Sequence, residues 1–210
     1  MFRDQKTVFR SYETLLESVL RHRNRLGVDH LCQPRFRSMV IEPSLYSEAN
    51  PSKPKIALFD YDGEPFFDRR TFSINAHIEL WKEAGEGEPL ACFKLLHELA
   101  HARLHRHPHH GFTTADKSLL RIAQDEESSE WQANVFAALS MAPPYLAIEC
   151  NTRRSFHERF NFPSEFTDFW FALRAKRPIR FAHRLCSKCG SDRVASIGSL
   201  LRCVDCGLIA

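Results

Sequence analysis

The apolar positions along the chain change period several times, and each change marks an element. Between residues 11 and 26, Leu15 and Val19, and Leu16 and Leu20, recur four apart with Gly27 behind them, which predicts an amphipathic helix. Residues 42–54 are dense in turn formers and read as a loop. Lys55-Ile-Ala-Leu-Phe-Asp-Tyr predicts a strand, Asp62-Gly63 a turn, and residues 71–80 a second strand. A helix then opens at Glu88-Pro89, where the missing proline N–H has no partner to lose, and Leu90, Phe93, Leu96, Ala100 and Leu104 give it one buried face. A run rich in His and Arg, 103–110, ends it at Gly111. Further helices are expected over 114–124 and 126–139, the latter stopped by Ala142-Pro143-Pro144, followed by a short pair over 155–160 and 164–173 around Asn161-Phe162-Pro163. A small sheet followed by helices is an α+β arrangement.

Composition narrows the class without naming a function. With 210 residues the chain suits one good core and a small appendage, and 43% hydrophobic with 26% charged residues excludes wholesale disorder, collagen and coiled coil. No apolar run approaches the ~18 residues of a membrane span, and Met1-Phe-Arg-Asp-Gln-Lys6 lacks a signal-peptide core, so a cytoplasmic protein without a membrane partner is expected. The net charge of +3 is unevenly spread: from Phe171 onward eight basic residues face two acidic ones, whereas the remainder has 21 basic against 24 acidic. A basic tail on a weakly acidic body allows DNA contact through the C-terminal region, or simply a solvated basic surface.

The densest chemistry lies on the helix opened by Pro89, in His97-Glu98-Leu99-Ala100-His101. Histidines four residues apart lie ~40° apart around a helix, so both can reach one metal ion, while Glu98 is turned a further ~100° and can hold a metal-bound water without ligating. Zinc at such a site lowers the pKa of its water, the glutamate takes the proton, and the metal polarises the scissile carbonyl. Two third ligands are conceivable. His107 occupies the last position of an extended H-E-x-x-H-x-x-G-x-x-H pattern, with Met141 available as a methionine turn, but Leu104 stands where that pattern needs glycine. His107 then reads, with His105, His109 and His110, as part of a solvated loop. Glu130, on the helix predicted over 126–139, is the better candidate and completes a His₂Glu set. Asn134, one turn on, can accept the outer N–H of a ligand imidazole, and Ala133 and Ala137 are small enough for close helix packing. Glu126 and Glu127 read as a solvated acidic face.

His97-Glu-Leu-Ala-His101 followed by Glu130-Trp-Gln-Ala-Asn134-Val-Phe-Ala-Ala-Leu-Ser-Met-Ala-Pro143 resembles the ImmA/IrrE family of metallo-endopeptidases, which pairs H-E-x-x-H with E-x-E-A-N-x-F-A-A-x-L-L-M-P. The resemblance spans about residues 71–175, from the strand before the active helix to a helix-turn-helix-like segment after it. It implies a thermolysin-like, gluzincin-type core with catalytic zinc on His97, His101 and Glu130, Glu98 as the catalytic base, and a helix-turn-helix transcriptional repressor as protein substrate. Gln132 replaces the family's usual acid, Ser140-Met-Ala-Pro departs from the usual ending, and the first seventy residues match no family pattern. Extended substrates commonly add as a strand to a sheet edge, so residues 71–80 are the expected substrate strand, with Asn75 and His77 as candidate backbone contacts.

Seven cysteines make no secreted disulfide framework, because three are scattered and the rest form Cys186-x₂-Cys189 and Cys203-x₂-Cys206. Two such pairs resemble a zinc ribbon holding a structural zinc, with strands over 193–197 and 199–202 and knuckle turns at Gly190 and Gly207. The expected organisation is an N-terminal helical region over 1–54, a metallopeptidase core over 55–150, a helix-turn-helix-like segment over 151–180 and the ribbon over 181–210. The alternative is a non-catalytic DNA- or protein-binding regulator that works through the ribbon.

Overall fold

The computed structural model describes residues 7–33, 53–105, 128–197 and 199–210. Most of the loop expected over 42–54, the helix expected over 114–124, and His107, His109, His110, Glu126 and Glu127 lie outside those residues. The described chain is α+β, with six helices and two three-stranded sheets. It forms two compact units, Met1–Ser11 with Arg35–Ala137, and Tyr12–Pro34 with Ala138–Ala210. None of the described helices is long and apolar enough to cross a membrane.

The first unit begins with β1 (Lys55–Phe59), β2 (Phe66–Asp68) and β3 (Ser73–His77). Residues 71–80 were expected to be one strand, yet the strand stops at His77. There the imidazole turns back as an N-cap, its Nδ1 accepting the Glu79 N–H at 3.2 Å, and α2 (Ile78–Glu86) begins. Gly87, at φ 92, ends α2 in the left-handed conformation. The sheet order is β1-β3-β2, with β1 parallel and β2 antiparallel to β3. Asp68 shapes the β2–β3 connection by accepting from the Arg70 N–H at 2.8 Å and the Thr71 hydroxyl at 2.9 Å. β3 is therefore central, hydrogen-bonded on both sides, and cannot receive an added strand. This overturns its expected role as the substrate strand: Asn75 pairs in register with both Ala57 and Phe66, and its amide donates to the Ser73 hydroxyl at 3.1 Å, while His77 caps a helix.

Helix α3 (Pro89–Leu104) starts where expected, with the Glu88 carboxylate capping the Ala91 N–H. It is buried on more than the expected single face: Ala91, Phe93, Leu95, Leu96, Glu98, Leu99, Ala100, Ala102 and Leu104 are all inside. A helix enclosed on most sides is fixed in rotation as well as in position. The remaining helix of this unit, α4 (Ser129–Met141), follows the same rule, with Gln132, Ala133, Val135, Phe136 and Ala137 inaccessible.

The second unit gathers α1 (Tyr12–Arg25), the end of α4, α5 (Arg153–Phe160), a 3₁₀ turn (Ser164–Phe166), α6 (Thr167–Lys176) and a second sheet. α1 buries the predicted Leu15, Leu16, Val19 and Leu20, and it also buries Arg23, whose guanidinium donates to the carbonyls of Val28 at 2.8 Å, Leu31, and Ser140 at 2.5 Å. One cation thus satisfies the chain ends of two helices. α5 and α6 meet in an aromatic cluster in which the Phe156 ring lies 4.3 Å from Trp170, 5.1 Å from Phe162 and 5.3 Å from Phe160 and Phe171. The indole N–H of Trp170 donates to the Ala142 carbonyl at 2.7 Å. Thr152 opens α5 with a capping box to Ser155 and Asn161 closes it at φ 47, which accounts for the expected pair of short helices.

The sheet of this unit contains the two expected ribbon strands, β5 (Val194–Ile197) and β6 (Leu200–Cys203), and an unforeseen two-residue strand, β4 (Arg180–Phe181), antiparallel to β5. The ribbon does not hang free within its unit. Arg202, 1% exposed, donates to the Asp29 carboxylate at 3.0 Å and lies 4.3 Å over the Tyr145 ring, while Glu17 accepts the Ser199 N–H and hydroxyl at 3.0 and 2.9 Å. Because Phe156 is wholly enclosed, Phe156→Ala is expected to cost about 3–5 kcal/mol of unfolding free energy, read as a lowered denaturant midpoint.

Candidate metal centres

Helix α3 carries His97 and His101 one turn apart, and α4 carries Glu130 in its first turn. The structure brings them together: one donor atom from each of the three lies within 4.8 Å of the others. The two Nε2 atoms are 3.0 Å apart, with Glu130 Oε2 at 3.1 Å from His97 Nε2 and Glu130 Oε1 at 3.4 Å from His101 Nε2. Each imidazole is held from behind by its other nitrogen. His97 Nδ1 is 2.9 Å from Asn134 Oδ1, the contact the spacing predicted, so this ring donates there and presents the Nε2 lone pair forward. His101 Nδ1 is 3.0 Å from His105 Nδ1.

Two imidazoles and a carboxylate facing one point could hold a metal ion, and the residue types are compatible with zinc. The three groups shift one another's protonation. Burial pulls the His97 pKa down, but hydrogen bonding to Glu130 and the charges of Glu98 and Glu130 outweigh it, and the net shift is upward. His101 is lowered, chiefly by burial, with His97 and Arg69 adding to the effect against Glu130. Burial favours protonation of Glu130, yet the two imidazoles hold its carboxyl well below the usual carboxylate range.

Glu98 stands beside this cluster without joining it. Its carboxylate is 3.9 Å from His97 Nε2 and only 5% of the residue is exposed. Burial pushes its pKa up to about 7, against the opposing pull of His97 and of a hydrogen bond from the Phe67 backbone N–H. That bond matters for the layout, because Phe67 belongs to β2, an edge strand. Among the described residues the edge strand next to the site is β2, too short to stand out in the sequence.

His105 departs from its expected place in a solvated loop. It is the C-cap residue of α3, 1% exposed, and its Nε2 is 2.9 Å from the Gln132 side-chain oxygen. Burial holds its pKa down, to about 4. The histidine-rich run concealed it, and the signal that could have found it is its spacing, one turn beyond His101 on the same face.

The second centre is the cysteine cluster. Cys186 and Cys206 have sulfurs 3.5 Å apart, Cys189 and Cys203 3.6 Å, and all four fall within 4.8 Å of one another. Four sulfurs at 2.3 Å from a tetrahedral zinc stand ~3.8 Å apart, so the cage is of the right size. Gly190 and Gly207, both at φ 74, turn the chain after the second cysteine of each pair, and their N–H groups donate to the Cys186 carbonyl at 2.8 Å and the Cys203 carbonyl at 3.0 Å. The Cys186 sulfur accepts the N–H groups of Cys189 and Lys188, which bring its pKa down to about 6 and favour the thiolate that a metal needs.

Comparison with protein-family models, curated protein sequences and solved structures finds no match to the chain. The two donor sets are compatible with two zinc ions per chain. Elemental analysis of purified protein is expected to return two, falling to one in a His97→Ala/His101→Ala variant and to one in a Cys203→Ser/Cys206→Ser variant. A single zinc unaffected by the histidine changes would remove the first centre.

Proposed function

We propose that the chain is a zinc metallo-endopeptidase of the ImmA/IrrE type, with a thermolysin-like core made of α3, α4 and the β1-β3-β2 sheet. Its substrate is a protein, a helix-turn-helix transcriptional repressor, in which it hydrolyses a peptide bond. The observation that carries this reading is Glu98, a buried carboxyl with a pKa near 7 placed beside, and outside, a two-histidine, one-carboxylate donor set.

Zinc bound by His97, His101 and Glu130 would lower the pKa of its water and polarise the scissile carbonyl. Glu98 takes the proton of the attacking water on its carboxylate and passes it to the departing amine nitrogen, and a carboxyl that titrates near neutrality can do both. Asn134 keeps the His97 ring in the tautomer that faces its Nε2 lone pair inward. β2 is the element suited to hold substrate, since it is an edge strand among the described residues and a peptide added along it passes Phe67, whose N–H reaches Glu98. The role first given to Asn75 and His77 thereby moves to the backbone of Phe66–Asp68. In the other unit, Lys176, Arg177, Arg180 and Arg184 supply positive charge for contact with the DNA beside a bound repressor, while Arg174 donates to the Ile148 and Cys150 carbonyls.

The test compares wild type with Glu98→Gln, which removes the proton acceptor and keeps every ligand. The variant is expected to hold two zinc ions and to lose about 10²- to 10⁴-fold in cleavage rate, read as new protein N-termini in cells expressing each form. If wild type produces no N-termini absent from the variant, the endopeptidase reading falls and a regulator acting through the ribbon takes its place.

A further inference from the structure

A buried polar chain of the first unit starts at a backbone carbonyl and ends at His101, one of the histidines of the candidate metal site. The Val8 carbonyl accepts from Gln132 Nε2 at 2.8 Å, Gln132 Oε1 faces His105 Nε2 at 2.9 Å, and His105 Nδ1 faces His101 Nδ1 at 3.0 Å. Gln132 is 0% and His105 1% exposed, so water cannot stand in for a missing partner.

The direction of every proton follows from the first link. A backbone carbonyl can only accept, so the Gln132 amide must turn its NH₂ toward Val8 and its oxygen toward His105. That oxygen also can only accept, so His105 carries its proton on Nε2. An uncharged, fully buried His105 then has its lone pair on Nδ1 and takes the His101 Nδ1 proton. His101 is left with its lone pair on Nε2, the atom that faces His97 and Glu130. No other assignment satisfies all three contacts with uncharged rings.

We propose that His105 and Gln132, anchored on the Val8 carbonyl of the N-terminal segment, are positioning residues that lock His101 in its metal-binding tautomer. This rests on the reading of His97, His101 and Glu130 as a metal site, and it gives residues 7–11 a part in that site. Arg10 ties the same segment to the end of α3, its guanidinium donating to the Leu104 carbonyl at 3.3 Å. It also explains why glutamine occupies position 132. A carboxylate could accept from His105, but it would present a second acceptor to the Val8 carbonyl, whereas an amide has one group of each kind.

Two readouts test the relay in the full chain. In histidine-¹⁵N-labelled protein treated with chelator to strip the histidine site, long-range ¹H–¹⁵N spectra are expected to show His101 protonated on Nδ1 and His105 on Nε2. His101 protonated on Nε2, or averaging between tautomers, would overturn the proposal. In the second, His105→Phe and Gln132→Leu are each expected to weaken zinc at the histidine site about 10- to 100-fold, while an unchanged helical circular dichroism spectrum and melting transition, with the ribbon zinc retained, certify that both units fold. Wild-type zinc affinity in both variants would overturn the proposal. Should a variant lose the ribbon zinc as well, the wild-type spectra decide. Wild type that binds zinc at the ribbon alone would fell the metal-site reading instead, and the tautomer pattern, read without metal, would still judge the relay.

Discussion

Three groups that water would solvate strongly, two imidazoles and a carboxylate, are held with their facing atoms between 3.0 and 3.4 Å of one another in a half-buried site. Such an arrangement costs free energy unless every outward-facing polar atom has a partner and the ligand-facing atoms share a cation. The architecture of the first unit follows from this demand. α3 is enclosed on most sides because a rotation of ~100°, one residue, would aim the imidazoles elsewhere. α4 contributes to three separate tasks within two turns, with Glu130 facing inward, Gln132 reaching His105 and Asn134 reaching His97.

The second unit solves a related problem with the opposite charge. Arg23 and Arg202 are both buried, and each is surrounded by carbonyls, a carboxylate or an aromatic face. Arg guanidinium suits this use because its donors spread in a plane and satisfy several acceptors at once. Here the cations join segments that are distant in sequence, where the imidazoles and carboxylate of the first unit converge on a single point.

What could be read from the sequence was whatever a single helix or a short spacing encodes. His97 and His101 share a face because they share a helix, and the ribbon cysteines and their glycines announce a cage by spacing alone. Glu130 could be read as a glutamate on a further helix that completes the donor set, and Asn134 as an amide one turn on, and the family pattern points to the same two residues. The misread strand has a local cause. Ile78 and Leu80 continue the alternation of Ile74 and Ala76, and the break is made by the side chain of His77, which prefers the Glu79 N–H to another rung of sheet. β2 went unseen because three residues carry too little pattern, and β3's central position was hidden because it depends on a parallel pairing with β1. The burial of His105 is the least local of all, depending on contact with Gln132, whose amide is itself anchored on residue 8.

Arg202 has a consequence that reaches beyond the energetics of one contact. Its guanidinium is shared by the Asp29 carboxylate, on the turn after α1, and by the Tyr145 ring, beyond the end of α4, so three distant stretches of chain answer to one side chain. Loss of the acid strands a buried cation, and loss of the cation strands a buried acid. A change at position 29 or 202 alone therefore leaves a buried charge without its counterpart. A ribbon grafted in place of this one would have to supply the same guanidinium at position 202, or leave Asp29 buried without its cation.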